Sequence, residues 1–212
     1  MRIGICGGTF DPFHRGHLDP VLAARKTMQW DRVIYIPAWR QPFKPERAIA
    51  AGPHRFAMAA LATRDHATLF LSPIELERGG VSYSVDTLEA LHHQYHDASF
   101  DWIIGDDNLP DLERWKDPER LFQLARFVVL MRDCAPDLVE RGEGGGRPAS
   151  PTPFLEQHIA AGRIVFADNN TVRVSSTEIR GRVRAGQAID ALVDPLVVRY
   201  IHHYGLYNEA QP

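Results

Sequence analysis

His14 and His17 stand three residues apart behind two glycines, in the segment Gly7-Gly8-Thr9-Phe10-Asp11-Pro12-Phe13-His14-Arg15-Gly16-His17. These residue types at this spacing suit the holding of phosphate. Gly7 and Gly8 remove the side chains that would keep a ligand away from backbone N–H groups. A helix beginning just beyond them offers free N–H groups and the positive end of its dipole, and an imidazole placed there is drawn toward its charged, donating form. Ile3 and Ile5 with Cys6 mark a buried strand before the glycines, and Leu18, Val21, Leu22, Arg25 and Met28 recur at helical spacing after them. The helix therefore starts near Gly16, with Pro20 tolerated in its first turn.

Competing readings of this segment are weaker. Two histidines could ligate zinc, but further ligands are needed and Asp11 is the only obvious neighbour. Gly4, Gly7 and Gly8 do not give the G-x-G-x-x-G dinucleotide spacing. The blandest alternative has His14 capping the turn and His17 packed.

A second helix start lies at Val174-Ser175-Ser176-Thr177-Glu178-Ile179-Arg180. Ser175 and Glu178 have the spacing of a capping box. That leaves the hydroxyls of Ser176 and Thr177 in the first turn and Arg180 one turn on, where hydroxyls, N–H groups and a guanidinium can converge on one phosphate. Three further places carry two readings each. Carboxylates in Gly105-Asp106-Asp107-Asn108 can accept ribose hydroxyls or cap a helix. Trp115 can stack on a planar ring or fill core. The helix opening at Tyr83-Ser84-Val85 can present N–H groups to a carboxylate, or Ser84 is only its cap. His92, His93, His96, His202 and His203 are assigned no chemistry.

These residues need a scaffold. Strand-like runs recur at Arg2 to Cys6, Arg32 to Ile36, Thr68 to Leu71, Asp101 to Ile104, Phe127 to Met131 and Arg163 to Phe166. Helical patterns fall at Gly16 to Gln29, His54 to Arg64, Val85 to Tyr95, Pro118 to Leu124, Phe154 to Ala161, Ser176 to Arg184 and Pro195 to Tyr204. Such alternation predicts a parallel sheet covered by helices on both faces, with ligands at the carboxyl ends of the strands. A proline-rich stretch from Pro37 to Pro53, carrying Arg40, Lys44 and Arg47, is expected as a basic flap over the site. Residues 133–153, with a Gly-Glu-Gly-Gly-Gly run, are expected as a mobile loop.

At 212 residues the chain is expected to form a single domain over 1–212. A formal charge of −3 argues against a general nucleic-acid footprint. Two cysteines make no disulfide framework, and no apolar segment approaches membrane-spanning length, so a cytoplasmic setting is expected. No oligomeric state is legible.

Gly-Gly-Thr-Phe-Asp-Pro-x-His-x-Gly-His near the start, together with Ser-Ser-Thr-x-Ile-Arg near the end, resembles the HxGH superfamily of adenylyl and cytidylyl transferases. Ser-Tyr-Ser-Val-Asp-Thr-Leu, Ile-Ile-Gly-Asp-Asp-Asn-Leu and Trp115, in order between them, make the chain similar to the bacterial nicotinate-nucleotide adenylyltransferases. The resemblance implies a Rossmann-like nucleotidyltransferase fold and transfer of AMP from ATP to nicotinate mononucleotide, giving deamido-NAD and pyrophosphate. It further implies Gly8, Thr9 and Phe10 lining the nucleotide site, His14, His17, Lys44 and Arg180 as catalytic phosphate-holding groups, and Ser176 and Thr177 facing them. Gly105 and Asp107 would receive the ribose, Ser84, Val85 and Trp115 would form the nicotinate pocket, and Lys44 would also reach the mononucleotide. Magnesium would be carried by ATP, with no protein-held metal.

Two positions depart from the family pattern. Phe43 stands where a histidine usually precedes the basic flap residue, and Asp106 stands where a small residue is common, which would make the pocket more acidic. Nicotinamide mononucleotide and phosphopantetheine remain alternative acceptors. A nucleotide-binding module without turnover and an aminoacyl-tRNA synthetase fragment are the readings from other classes.

Overall fold

The computed structural model describes residues 1–43, 50–131, 139–142, 145–148, 151–169 and 173–208. Six strands run parallel in the order β3-β2-β1-β4-β5-β8: β1 (Arg2–Gly8), β2 (Arg32–Pro37), β3 (Leu69–Leu71), β4 (Ser99–Gly105), β5 (Arg126–Leu130) and β8 (Ile164–Ala167). The chain moves outward from β1 to β3 in one direction, then returns to place β4 on the other side of β1. Neighbouring connections thus diverge between β1 and β4, and a crevice opens at the carboxyl ends of those two strands.

Alternation along the strands sends side chains to two separate cores. Val33, Tyr35, Ile103, Val128 and Leu130 face one layer, formed by α1 (Arg15–Met28), α2 (Gly52–Thr63), α7 (Ser176–Arg184) and α8 (Pro195–His203). Ile3, Ile5, Ile34, Ile36, Trp102, Ile104, Phe127 and Val129 face the other, formed by α4 (Ser84–Gln94), α5 (Pro118–Leu124) and α6 (Pro153–Ala160). Both faces of the sheet are therefore buried, which explains why its strands read as continuous apolar runs rather than alternating ones.

One polar cluster ties the opposite end of the sheet together. The buried Asp101 carboxylate at the start of β4 accepts the Trp30 indole N–H at 2.6 Å and two bonds from Arg126, at 2.9 and 2.6 Å. Gly4 makes room for that indole, since a Cβ there would come within 3.0 Å of Trp30 and of Ile103.

The expected strands and helices are all present, with ends displaced by a few residues. Two short helical segments went unread: α3 (Ile74–Arg78), too brief for a periodic pattern, and a 3-10 segment, Asp106–Arg114. In the latter, Leu109 and Leu112 are the buried apolar pair, and a three-residue turn brings them to one face despite the polar residues between. Within the expected loop over 133–153, β6 (Val139–Gly142) and β7 (Gly145–Pro148) pair antiparallel, a correction to the reading of unbroken irregular chain. Gly145 and Gly146 take places in that register opposite Gly142 and Arg141, so glycines that looked like breakers are compatible with pairing.

Replacing Trp30 by Phe deletes the donor to Asp101 together with part of the buried ring that packs over Gly4. The unfolding free energy from urea titration is expected to fall by about 1–3 kcal/mol, the range for a hydrogen bond to a buried charged group.

Candidate active site

β1 ends at Gly8, where a Cβ would lie 2.7 Å from the Phe10 ring. Phe10 adopts a left-handed backbone, φ 53°, and so turns its ring back under the strand end. That ring meets His17 edge-on at 5.0 Å and packs on Phe13 and Tyr35. The Tyr35 hydroxyl donates to the His17 carbonyl at 3.0 Å. An aromatic bed thus fixes the first turn of α1 from below.

His14 is the N-cap of α1 and His17 its third residue. The His14 backbone N–H donates to His17 Nδ1 at 3.3 Å, the part a glutamate usually takes in a capping box. An accepting Nδ1 carries no proton, so His17 offers its donor from Nε2. The two rings stack with centroids 3.7 Å apart.

α7 meets the same turn. Ser175 caps it, accepting from the Glu178 N–H at 3.1 Å, whereas the Glu178 carboxylate pairs with Arg182 at 2.8 Å instead of closing the expected capping box. Ser176 Oγ donates to the Pro12 carbonyl at 3.1 Å. Arg180 Nη1 donates to the Asp11 carbonyl at 2.6 Å, and Nη2 to Thr177 Oγ1 at 3.2 Å. Gly16 permits the approach, because a Cβ there would press Val174 at 3.0 Å. Two motifs far apart in sequence are joined by direct hydrogen bonds.

His14, His17, Gly8, Thr9, Phe10, Gly105, Asp107, Ser176, Thr177, Arg180, Ser84 and Trp115 all line one cleft of about 780 Å³, within the usual size range of small-molecule sites. Ser84 is the first residue of α4, one position later than a cap, with Tyr83 preceding it. Trp115 is half-buried, its ring 6.2 Å from Phe127, and also faces the cleft, so both of its readings hold in part.

Three expectations need correction or fall elsewhere. The Val85 side chain is buried against the core and is not part of the cleft wall. Asp106 is not part of the cleft wall: it is buried, with Oδ1 accepting the Asp107 N–H at 3.0 Å. Lys44 and Arg47 lie outside the described residues. Phe43, which replaces the expected histidine, is 55% exposed at the cleft, with the Arg114 guanidinium 5.9 Å from its ring centre. Among the described residues no group of three or more His, Cys, Asp or Glu is placed to hold a metal ion.

Sequence reasoning missed several groups around the site. Arg55 falls on the stripe of α2 that buries Gly52, Met58, Ala59 and Ala62, and an arginine in a buried stripe was a usable signal. It donates to the Thr9 carbonyl at 2.7 Å and to the Ala50 carbonyl at 3.0 Å. Asp11 accepts from the Tyr207 hydroxyl at 2.6 Å, and burial pushes its carboxyl up against the pull of Tyr207, Ala50, Arg180 and Arg55. Burial and the adjoining carboxylate push the Tyr207 phenol up, keeping it a donor. At the other end of the cleft, buried Glu75 accepts the Thr87 hydroxyl at 2.6 Å, and Arg78 donates to the same oxygen of Thr87 at 2.9 Å.

A family model described as cytidylyltransferase-like matches residues 5–182. A protein of Gemmatimonas aurantiaca named "Probable nicotinate-nucleotide adenylyltransferase" is 39% identical over 99% of this chain and 93% of its own length. One of the same name from Roseiflexus sp. is 40% identical over 97% and 98%. The solved structure of Plasmodium falciparum nicotinic acid mononucleotide adenylyltransferase complexed with NaAD superimposes with a TM-score of 0.71 at 17% identity, covering 97% of each chain.

Burial pushes the Glu75 carboxyl above its ordinary 4.5, opposed by bonds from Thr87 and Ser82 and by the Arg78 charge. The native state therefore holds that proton more tightly than the unfolded chain, so this contribution to stability is complete below about pH 4.5 and is lost as pH rises through the raised native value. Glu75→Gln is expected to flatten the decline of unfolding free energy above pH 4.5, leaving the part Asp11 adds in the same direction. Urea titrations from pH 4.5 to 7 check this; superimposable curves would refute it.

Proposed function

The chain belongs to the cytidylyltransferase-like family and, within it, to the nicotinate-nucleotide adenylyltransferases, and from that premise we infer that it transfers AMP from ATP to nicotinate mononucleotide, forming deamido-NAD and pyrophosphate. The observation that carries the reading is the single cleft shared by the α1 histidines, the α7 N-terminus and the Ser84–Trp115 wall. Donors for a triphosphate lie at one part of it, and a helix start with a half-buried indole at another.

The attacking group is the 5′-phosphate of the mononucleotide, largely dianionic near neutral pH because a phosphate second pKa lies near ~6. The reaction therefore needs no general base, and the site's task is alignment and charge stabilisation. In this proposal His17 Nε2–H, His14, Arg180 and Lys44 hold the phosphates and meet the charge that builds on the departing pyrophosphate. The hydroxyls of Ser176 and Thr177 extend that cradle. Backbone groups of Gly8, Thr9 and Phe10 lie against the nucleotide, and Asp107 with Gly105 receives the ribose. Magnesium would come with the triphosphate, where it would offset phosphate charge, and His14, His17 and Arg180 would hold the phosphates that carry it.

On the acceptor side, Trp115 stacks on the pyridine ring and the first N–H groups of α4, at Ser84 and Val85, meet the nicotinate carboxylate. For Val85 the contribution is its main chain, since its side chain is in the core. N–H donors left without an oxygen anion account for rejection of an amide acceptor. Among the described residues no helix is long and apolar enough to cross a membrane. We place the reaction in the cytoplasm, with small-molecule substrates and no nucleic-acid partner.

Purified protein with ATP and magnesium should release pyrophosphate fastest with nicotinate mononucleotide when that acceptor, nicotinamide mononucleotide and phosphopantetheine are offered separately. Preference for either of the others reassigns the acceptor, and ATP binding without release identifies a non-catalytic nucleotide-binding module. In the same assay His17→Ala should lower turnover by about 10²-fold or more, the scale for losing one preorganised donor. Normal turnover in a folded variant would remove His17 from the mechanism.

A further inference from the structure

Asp11 belongs to the His14–His17 segment, yet its carboxylate is only 1% exposed and is held by parts of the chain remote from that segment. Oδ1 accepts from the Tyr207 hydroxyl at 2.6 Å and from the Ala50 N–H at 3.1 Å. Oδ2 lies 3.7 Å from Arg180 Nη1, the same nitrogen that donates to the Asp11 carbonyl at 2.6 Å. Arg55, 2% exposed, ties the Thr9 carbonyl to the Ala50 carbonyl on the far side. The turn after α8 is shaped for this contact: Gly205 and Tyr207 are both left-handed, with φ 60° and 67°.

A guanidinium has five N–H donors in a rigid fork. In Arg180 two of them are committed to the Asp11 carbonyl and to Thr177, which sets the plane of the fork and leaves other donors for an anion. Both Asp11 and Arg180 line the cleft. A displaced Asp11 would therefore move the Arg180 fork and the turn that carries His14 together.

We propose that Asp11, clamped by Tyr207 and Ala50, is a positioning residue for AMP transfer, and that the turn after α8 is thereby part of the triphosphate-holding machinery, 196 residues away in sequence. It acts through Arg180 and the Thr9–Pro12 turn and touches the reaction only through them. The inference rests on the reading of the cleft as an adenylyltransferase site. It predicts an effect on the triphosphate and on turnover, with the acceptor wall at Ser84 and Trp115 untouched.

Tyr207→Phe deletes one hydroxyl and leaves the ring. In the pyrophosphate-release assay, with wild type in parallel, the folded variant should show kcat reduced about tenfold, a raised KM for ATP and an unchanged KM for nicotinate mononucleotide. A lower melting temperature with unchanged kinetic constants would show that the contact serves the fold alone, and overturns the proposal. Asp11→Asn, which preserves side-chain volume, decides on the same measurements should Tyr207→Phe not fold; failure of both to fold also overturns it. If wild type releases no pyrophosphate, the adenylyltransferase reading fails by itself. Calorimetric titration with ATP then tests the positioning role directly: weaker ATP binding in Tyr207→Phe supports it, and equal binding refutes it.

Discussion

Two helix starts, the buried Arg55 guanidinium and the half-buried one of Arg180 gather around the Thr9–Pro12 turn, and the buried Asp11 carboxylate stands among them. The N-termini of α1 and α7 both carry partial positive charge, and Arg55 and Arg180 each donate to a carbonyl of the turn. Such an accumulation is unfavourable in a low-dielectric interior unless offset, and the Asp11 carboxylate lies 3.7 Å from Arg180 Nη1. Donors held in place in this way, at the edge of the cleft, are the kind of preorganised groups that stabilise charge as it develops.

The sheet makes this gathering possible by where it changes direction. β1 and β4 adjoin at the point of divergence, and their ends, Gly8 and Gly105, both lack side chains at the cleft floor. Gly7 serves the same floor in another way, since a Cβ there would come within 3.1 Å of Trp102. At the opposite edge the Asp101–Arg126–Trp30 cluster anchors β4 and β5 against the start of β2, so the strand ends that carry chemistry are held from below by a fully bonded carboxylate. Stability and ligand binding are thus assigned to opposite ends of the same strands.

Much of this was legible from residue order because local chemistry decides it. Apolar runs located the six strands, and helical periodicity with caps such as Ser175 located the longer helices. The histidine and serine motifs were legible as helix starts because each is contiguous in sequence. What escaped were partners chosen by the tertiary structure. Nothing near Tyr207 indicates that its hydroxyl reaches Asp11, and nothing adjacent to Asp106 distinguishes a carboxylate that turns inward from one that faces a ribose. Val85 shows the same limit: a residue at the right place in a motif can contribute its main chain while its side chain serves the core.

The clamp on Asp11 also bears on how the protein is made. The histidine segment is made before Tyr207, and α7 and α8 follow every strand of the parallel sheet. A nascent polypeptide can therefore assemble its strands while the carboxylate at their edge still awaits its phenol.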